Sequence, residues 1–147
     1  MTTDFFLDKF EYDFQSNKRW CKLLEENEEK LNEYILKSFS HLINVHHIWV
    51  SRLRGESPES FIDDKLPVDY WLKLCHENLL KTTDYLNNLD SNEKVSYHDE
   101  QGVMVSKDSI DILYHILNHS NYHRAQVSRE LRLLGITPPS FNFISFH

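Results

Sequence analysis

Apolar residues recur at spacings of three, four and seven along most of this chain, the repeat of an amphipathic α-helix. Phe6, Phe10, Phe14, Cys21 and Leu24 predict a first helix from about Asp4 to Glu26. The stripe of Leu31, Ile35, Ser38, Leu42, Val45, Trp49 and Leu53 predicts a second, from about Leu31 to Arg54, which Gly55 is placed to end. A loop rich in Ser, Pro, Asp and Glu then runs to Lys65. Pro67 suits the first turn of a third helix, which carries Trp71, Leu74, Cys75, Leu79 and Leu86 and stops near Leu89 to Asn92. Two short β-type runs, Val95 to His98 and Val103 to Val105, flank the turn Asp99-Glu100-Gln101-Gly102 and predict a small hairpin. A fourth helix starts near Asp108, a suitable N-cap, and runs to Leu134, closed by Gly135 and Pro138-Pro139. The tail from Phe141 to Phe146 is too apolar to float free, and is expected to pack across the helices or at a subunit contact. These elements predict an all-α fold, a four-helix bundle with a β-hairpin-like insertion between helices three and four.

Composition narrows the class. A chain of 147 residues fits one domain, spanning 1–147, with a real hydrophobic core. Apolar residues make up 40% and aromatic residues 13%, which excludes a disordered sequence, and only 3 glycines and 4 prolines interrupt the helices. The formal charge of -7, with no basic run, argues against nucleic acid as a partner. No stretch approaches the ~18 consecutive apolar residues of a membrane span. The start, Met1-Thr2-Thr3-Asp4-Phe5, lacks the basic-then-apolar order of a signal peptide, so a cytoplasmic location is expected. Cys21 and Cys75, without CxxC or CxxH spacing, are expected as buried free thiols.

The chemistry lies among the 9 histidines. His119 and His123 stand one turn apart on helix four, and at about 100° per residue they share an arc with Ile112, Ile116, Val127 and Leu134. Burying two imidazoles side by side without a shared ligand costs a few kcal/mol. A metal ion removes that penalty; a hydrogen-bonded core pair is the alternative. His41 falls on the apolar arc of helix two, between Ser38, Val45 and Ile48, and is the best third ligand. His46 sits at the edge of that arc as a distant second, and His47 is expected to face solvent. Three neutral imidazoles would form an open site with room for water or substrate. His115 is read as core or outer shell, because it and His123 lie about 12 Å apart along the axis. His76, His98 and His147 are expected at the surface. Glu130 and Asn17 are weak candidates for a base or a hydrogen-bonding group beside the site. Tyr122 and Arg124 point away from the centre of the stripe, toward pairing at the surface or between helices.

The run Phe39-Ser40-His41-Leu42 through Trp49 to Arg52-Leu53-Arg54-Gly55 resembles the "aHil…W…RlrG" segment of DinB-like proteins. The run His119-Ser120-Asn121-Tyr122-His123-Arg124-Ala125-Gln126 resembles their H-x-x-x-H-R-[GA]-Q signature, with Ala125 where many members have Gly. The resemblance implies an up-down-down-up four-helix bundle, often a homodimer. It also implies Zn²⁺ or Ni²⁺ held by His41, His119 and His123. Relatives in the wider superfamily include thiol-dependent S-transferases using bacillithiol or mycothiol and a maleylpyruvate isomerase, although many members have no established activity. Damage induction of one member gave the family its name and implies no DNA chemistry.

Two functions compete. One is a metal-dependent enzyme whose open site activates a thiol or a water molecule, a transferase or hydrolase acting with a low-molecular-weight thiol or another small molecule. The other is a non-catalytic, stress-linked binding module whose metal ties helices two and four together. A di-iron carboxylate bundle needs Glu-x-x-His pairs, and this chain contains none. A haem bundle lacks its attachment motifs.

Overall fold

The computed structural model describes residues 2–146. Four long helices, α1 (Thr2–Glu26), α2 (Glu33–Arg54), α3 (Trp71–Asn87) and α4 (Ser109–Leu133), account for most of the chain. Strands β1 (Lys94–His98) and β2 (Met104–Asp108) lie between α3 and α4, and a single turn, α5 (Phe143–Phe146), follows. The chain is thus mostly helical with one small two-stranded sheet, in the order the hydrophobic pattern predicts. His147 lies outside the described residues.

Local chemistry sets the ends. The second helix begins at Glu33, two residues later than its apolar stripe predicts, because Asn32 turns out of the helix and its side chain accepts from the Ile35 N–H at 3.0 Å. Gly55 closes α2 at φ 70°, a left-handed conformation that costs glycine little. Pro67 precedes a 3₁₀ turn, Val68–Tyr70, and the α-helix proper starts at Trp71. Asp108 does occupy the N-cap of α4, but its side chain makes no capping bond. The carboxylate instead takes Lys94 Nζ at 2.8 Å, across the antiparallel register that pairs Lys94 with Asp108.

α1 packs on α3 and α4, and α2 packs on the same two helices. The core divides into two apolar clusters. Trp20, Leu24, Ile35, Phe39, Trp71 and Leu131 belong to one. Phe6, Phe10, Leu53, Leu86, Leu113 and Ile116 belong to the other. On every long helix the residues between these sets include buried polar groups: Asp13 and Asn17 on α1, His46 on α2, Asn78 and Thr82 on α3, Ser120 and Arg124 on α4. A polar layer therefore crosses the middle of the molecule. Such a layer is tolerated when its members are hydrogen-bonded, and most are, although the Ser120 hydroxyl has no partner among the described residues. Arg124 donates to Asp13 Oδ1 and Asn17 Oδ1, both at 2.7 Å, and Thr82 Oγ1 donates to the Asn78 carbonyl at 2.7 Å.

The tail packs on its own chain. Phe141 stacks on Tyr12 with ring centroids 5.5 Å apart, Phe143 and Phe146 meet the same ring edge-on, and the Arg19 guanidinium lies over Phe141. Cys21 and Cys75 are buried free thiols, as the spacing predicts. The hydrogen bond between them and their burial push the Cys75 thiol well above its ordinary pKa, so it is held as the inert protonated form.

Candidate metal centre

His41 of α2 meets His119 and His123 of α4. The Nε2 atoms of His41 and His119 stand 3.2 Å apart, and one ligand-capable nitrogen from each of the three rings lies within 4.8 Å of the other two. Ring centroids are 5.0 Å from His41 to His119, 4.8 Å from His41 to His123 and 4.3 Å from His119 to His123. The i, i+4 spacing stacks the α4 pair on one face, and α2 delivers the third ring from across the groove.

Electrostatics favour the neutral form of the two α4 rings. Burial, aided by His123, His41 and His115, pulls the His119 pKa down from 6.5 to about 3. Burial and His41 lower that of His123. Neutral imidazole is the form that ligates a metal.

The donor set fits a divalent ion. Metal–nitrogen bonds of ~2.0–2.1 Å at a tetrahedral centre place two ligand nitrogens roughly 3.4 Å apart, close to the 3.2 Å between His41 and His119. A hydrogen bond between those two rings would account for the same distance. It leaves His123 unexplained, because its buried Nδ1 makes no hydrogen bond of good geometry among the described residues, Gln126 being near it but poorly placed. A buried acceptor without a donor costs about 1–3 kcal/mol, so a group that engages all three rings is the better account. The cluster can hold a metal ion.

One wall of the site is open. His41 and His119 line a cavity of about 610 Å³, bounded by the apolar face of α2, the loop after it and the β1–β2 turn. All three histidines are half-buried rather than enclosed in the core. His115, expected in the core or outer shell, is exposed on the cavity wall, its ring 5.4 Å from Trp49 and 5.9 Å from His119.

The other candidates are engaged elsewhere. Asn17 accepts from Arg124 in the polar layer, and Glu130 accepts from Asn32 Nδ2 at 2.8 Å at the start of α2. Neither lines the cavity. His46 is fully buried, stacked near Phe10 and within 2.8 Å of Thr82 Oγ1. Since that hydroxyl spends its proton on Asn78, His46 Nε2–H is the donor. His47, expected to face solvent, is half-buried and accepts the Glu59 N–H at 2.8 Å. His76 and His98 are exposed.

Two supporting features escape the apolar-stripe reading. Arg124 is only 5% exposed and its partner Asp13 only 2%. The pair ties α4 to α1 one residue beyond His123. Asp13 at a three- and four-residue spacing between Phe10 and Asn17 is the trace it leaves in the sequence. On α2, Ser40, Asn44 and His47 form a polar stripe that pins the following loop. Ser40 Oγ accepts from Leu66 N–H, Asn44 Nδ2 donates to the Asp64 carbonyl, and Ser60 Oγ donates to Asn44 Oδ1. That anchoring holds Phe61 and Ile62 at the cavity edge.

The DinB family model matches residues 7–147, and the chain belongs to the DinB family. It is similar to the uncharacterized protein YizA of Bacillus subtilis (strain 168), with 29% identity over 147 aligned positions that cover 92% of this chain and 91% of that protein. No helix among the described residues is long and apolar enough to cross a membrane.

Proposed function

We propose that this protein is a metal-dependent enzyme in which His41, His119 and His123 hold a divalent ion, Zn²⁺ or Ni²⁺, at the floor of a substrate cavity. The observation that carries this reading is the convergence of three imidazoles, two of which, His41 and His119, line an open cavity. An ion there would lower the pKa of a bound thiol or water and so supply a reactive anion near neutral pH. The chain's own part is to keep the three rings aimed and to favour the neutral form of His119 and His123. The Arg124–Asp13–Asn17 lock fixes the rotation of α4, and Trp49, Phe61 and Ile62 give the cavity an apolar edge. Thiol transfer is favoured over hydrolysis by the kinship with thiol-dependent S-transferases.

The bundle geometry belongs to the same reading. Thr3 meets Leu86, Asn32 meets Glu130, His46 meets Thr82 and Asp13 meets Arg124. These contacts support an up-down-down-up four-helix bundle. A homodimer is also proposed, resting on exposed aromatics such as Tyr114 and Tyr122 along α4; light scattering tests it.

The functional test begins with elemental analysis of the purified protein, followed by chelation and reconstitution. Conjugation of an electrophile in the presence of glutathione, bacillithiol or coenzyme A should require the restored metal. Each of His41→Ala, His119→Ala and His123→Ala should weaken metal binding by more than the roughly 10–100-fold that an outer-shell partner is worth. Turnover that survives complete metal removal rejects the mechanism. A chelated protein that unfolds favours instead an ion whose task is to join α2 to α4.

A further inference from the structure

His41, Val45, Ile48 and Arg52 occur at i, i+4, i+7 and i+11 along α2, so they share one face, with about 16 Å of helix axis between the first and the last. All four line the same cavity. The histidine cluster thus forms one end, aliphatic side chains the middle, and a guanidinium the other end.

Arg52 differs from the arginines that hold carboxylates, and unlike Arg19, which lies over Phe141 of the tail, it lines the cavity. Arg54 pairs with Glu56 and Asp84, and Arg124 with Asp13. Arg52 makes no ion pair or hydrogen bond to a carboxylate among the described residues. Its guanidinium instead lies against a pair of rings, 4.6 Å from the Trp49 centroid and 4.3 Å from that of Tyr97, which are themselves packed edge-to-face at 5.1 Å. Cation–π contact of this kind positions the guanidinium without using its N–H donors, which stay available to an anion. It is half-buried, so an anion meeting it would lose part of its competition from water.

Two carboxylates also border the cavity. Asp99 is engaged by its own turn, accepting from the Gln101 and Val103 N–H groups at 2.9 Å each, and Glu100 is exposed. One cation beside two acids suits a monoanion better than a dianion.

We infer that Arg52 is a specificity residue that receives the carboxylate of an extended ligand, whose apolar body lies along Val45 and Ile48 and whose far end reaches the three histidines. This rests on the reading of His41, His119 and His123 as the reactive end, but Arg52 can be probed without it.

Octanoate, octanol and octyl phosphate are titrated into metal-free protein while tryptophan fluorescence is followed, since Trp49 lies directly against the guanidinium. Octanoate should bind about tenfold more tightly than octanol, one charge-assisted hydrogen bond's worth. Arg52→Gln should erase that ratio while leaving octanol binding unchanged, and Arg52→Lys should restore only part of it. The same comparison in Co²⁺-loaded protein uses 8-mercaptooctanoate and 8-mercaptooctanol, read by the thiolate-to-cobalt absorption band. Equal binding of acid and alcohol by the wild type, or a preference that persists in Arg52→Gln, overturns the inference. Octyl phosphate binding tenfold better than octanoate overturns the carboxylate assignment. Failure to bind cobalt, with the octanoate preference intact, counts against the metal reading alone.

Discussion

Acid should destabilise this protein through one residue remote from the open cavity. His46 is 5% exposed, and burial, reinforced by His47 and only partly opposed by Asp13, lowers its pKa from 6.5 to about 4. In the unfolded chain the same ring titrates near 6.5, so between pH 6.5 and about 4 the unfolded state binds the extra proton. The stability linked to His46 is therefore fully present above pH 6.5 and is lost as pH falls toward 4. At 1.36 kcal/mol per unit this amounts to about 3 kcal/mol, a large fraction of the ~5–15 kcal/mol of a typical domain. For a chain of this size it corresponds to roughly 6–12 °C in melting temperature. The measurement is urea unfolding of metal-free protein from pH 7.5 to 4, wild type against His46→Leu. The substitution leaves Thr82 donating to Asn78 and keeps an apolar contact for Phe10. Wild type should lose about 3 kcal/mol more than the variant across the window, while His119 and the carboxylates contribute to both and cancel. Parallel stability curves would refute the argument.

Asp13→Leu strands the Arg124 charge in the polar layer and should cost about 3–5 kcal/mol, whereas the double change Asp13→Leu, Arg124→Met should recover much of it. Thermal melts of the three proteins check this, and additive losses would contradict it. Gly55→Ala forces a left-handed conformation on alanine with nothing within 4 Å of the new methyl group, so the expected cost is backbone strain alone, about 1 kcal/mol. A neutral effect in urea unfolding would mean the end of α2 relaxes.

Local sequence pattern determined the four helices and the hairpin and placed His41, His119 and His123 on inward-facing arcs, because each depends on spacings within one segment. His119 and His123 share a face of α4 whatever packs against it, and the apolar neighbours of His41 already turned it inward. Pairings between segments were not legible. Asp13 finds Arg124 across 111 positions, and no local spacing encodes which buried acid meets which buried base. The same holds for His46, which looked like the edge of a stripe until Thr82 on α3 came beside it, and for His115, whose apolar arc turned out to border the cavity. Asn17 and Glu130 have the right chemistry for a catalytic site, yet tertiary packing commits them to Arg124 and Asn32. A helix fixes where its side chains point. Only the arrangement of the other helices, set by burial of two apolar clusters around a bonded polar layer, decides what each side chain meets there.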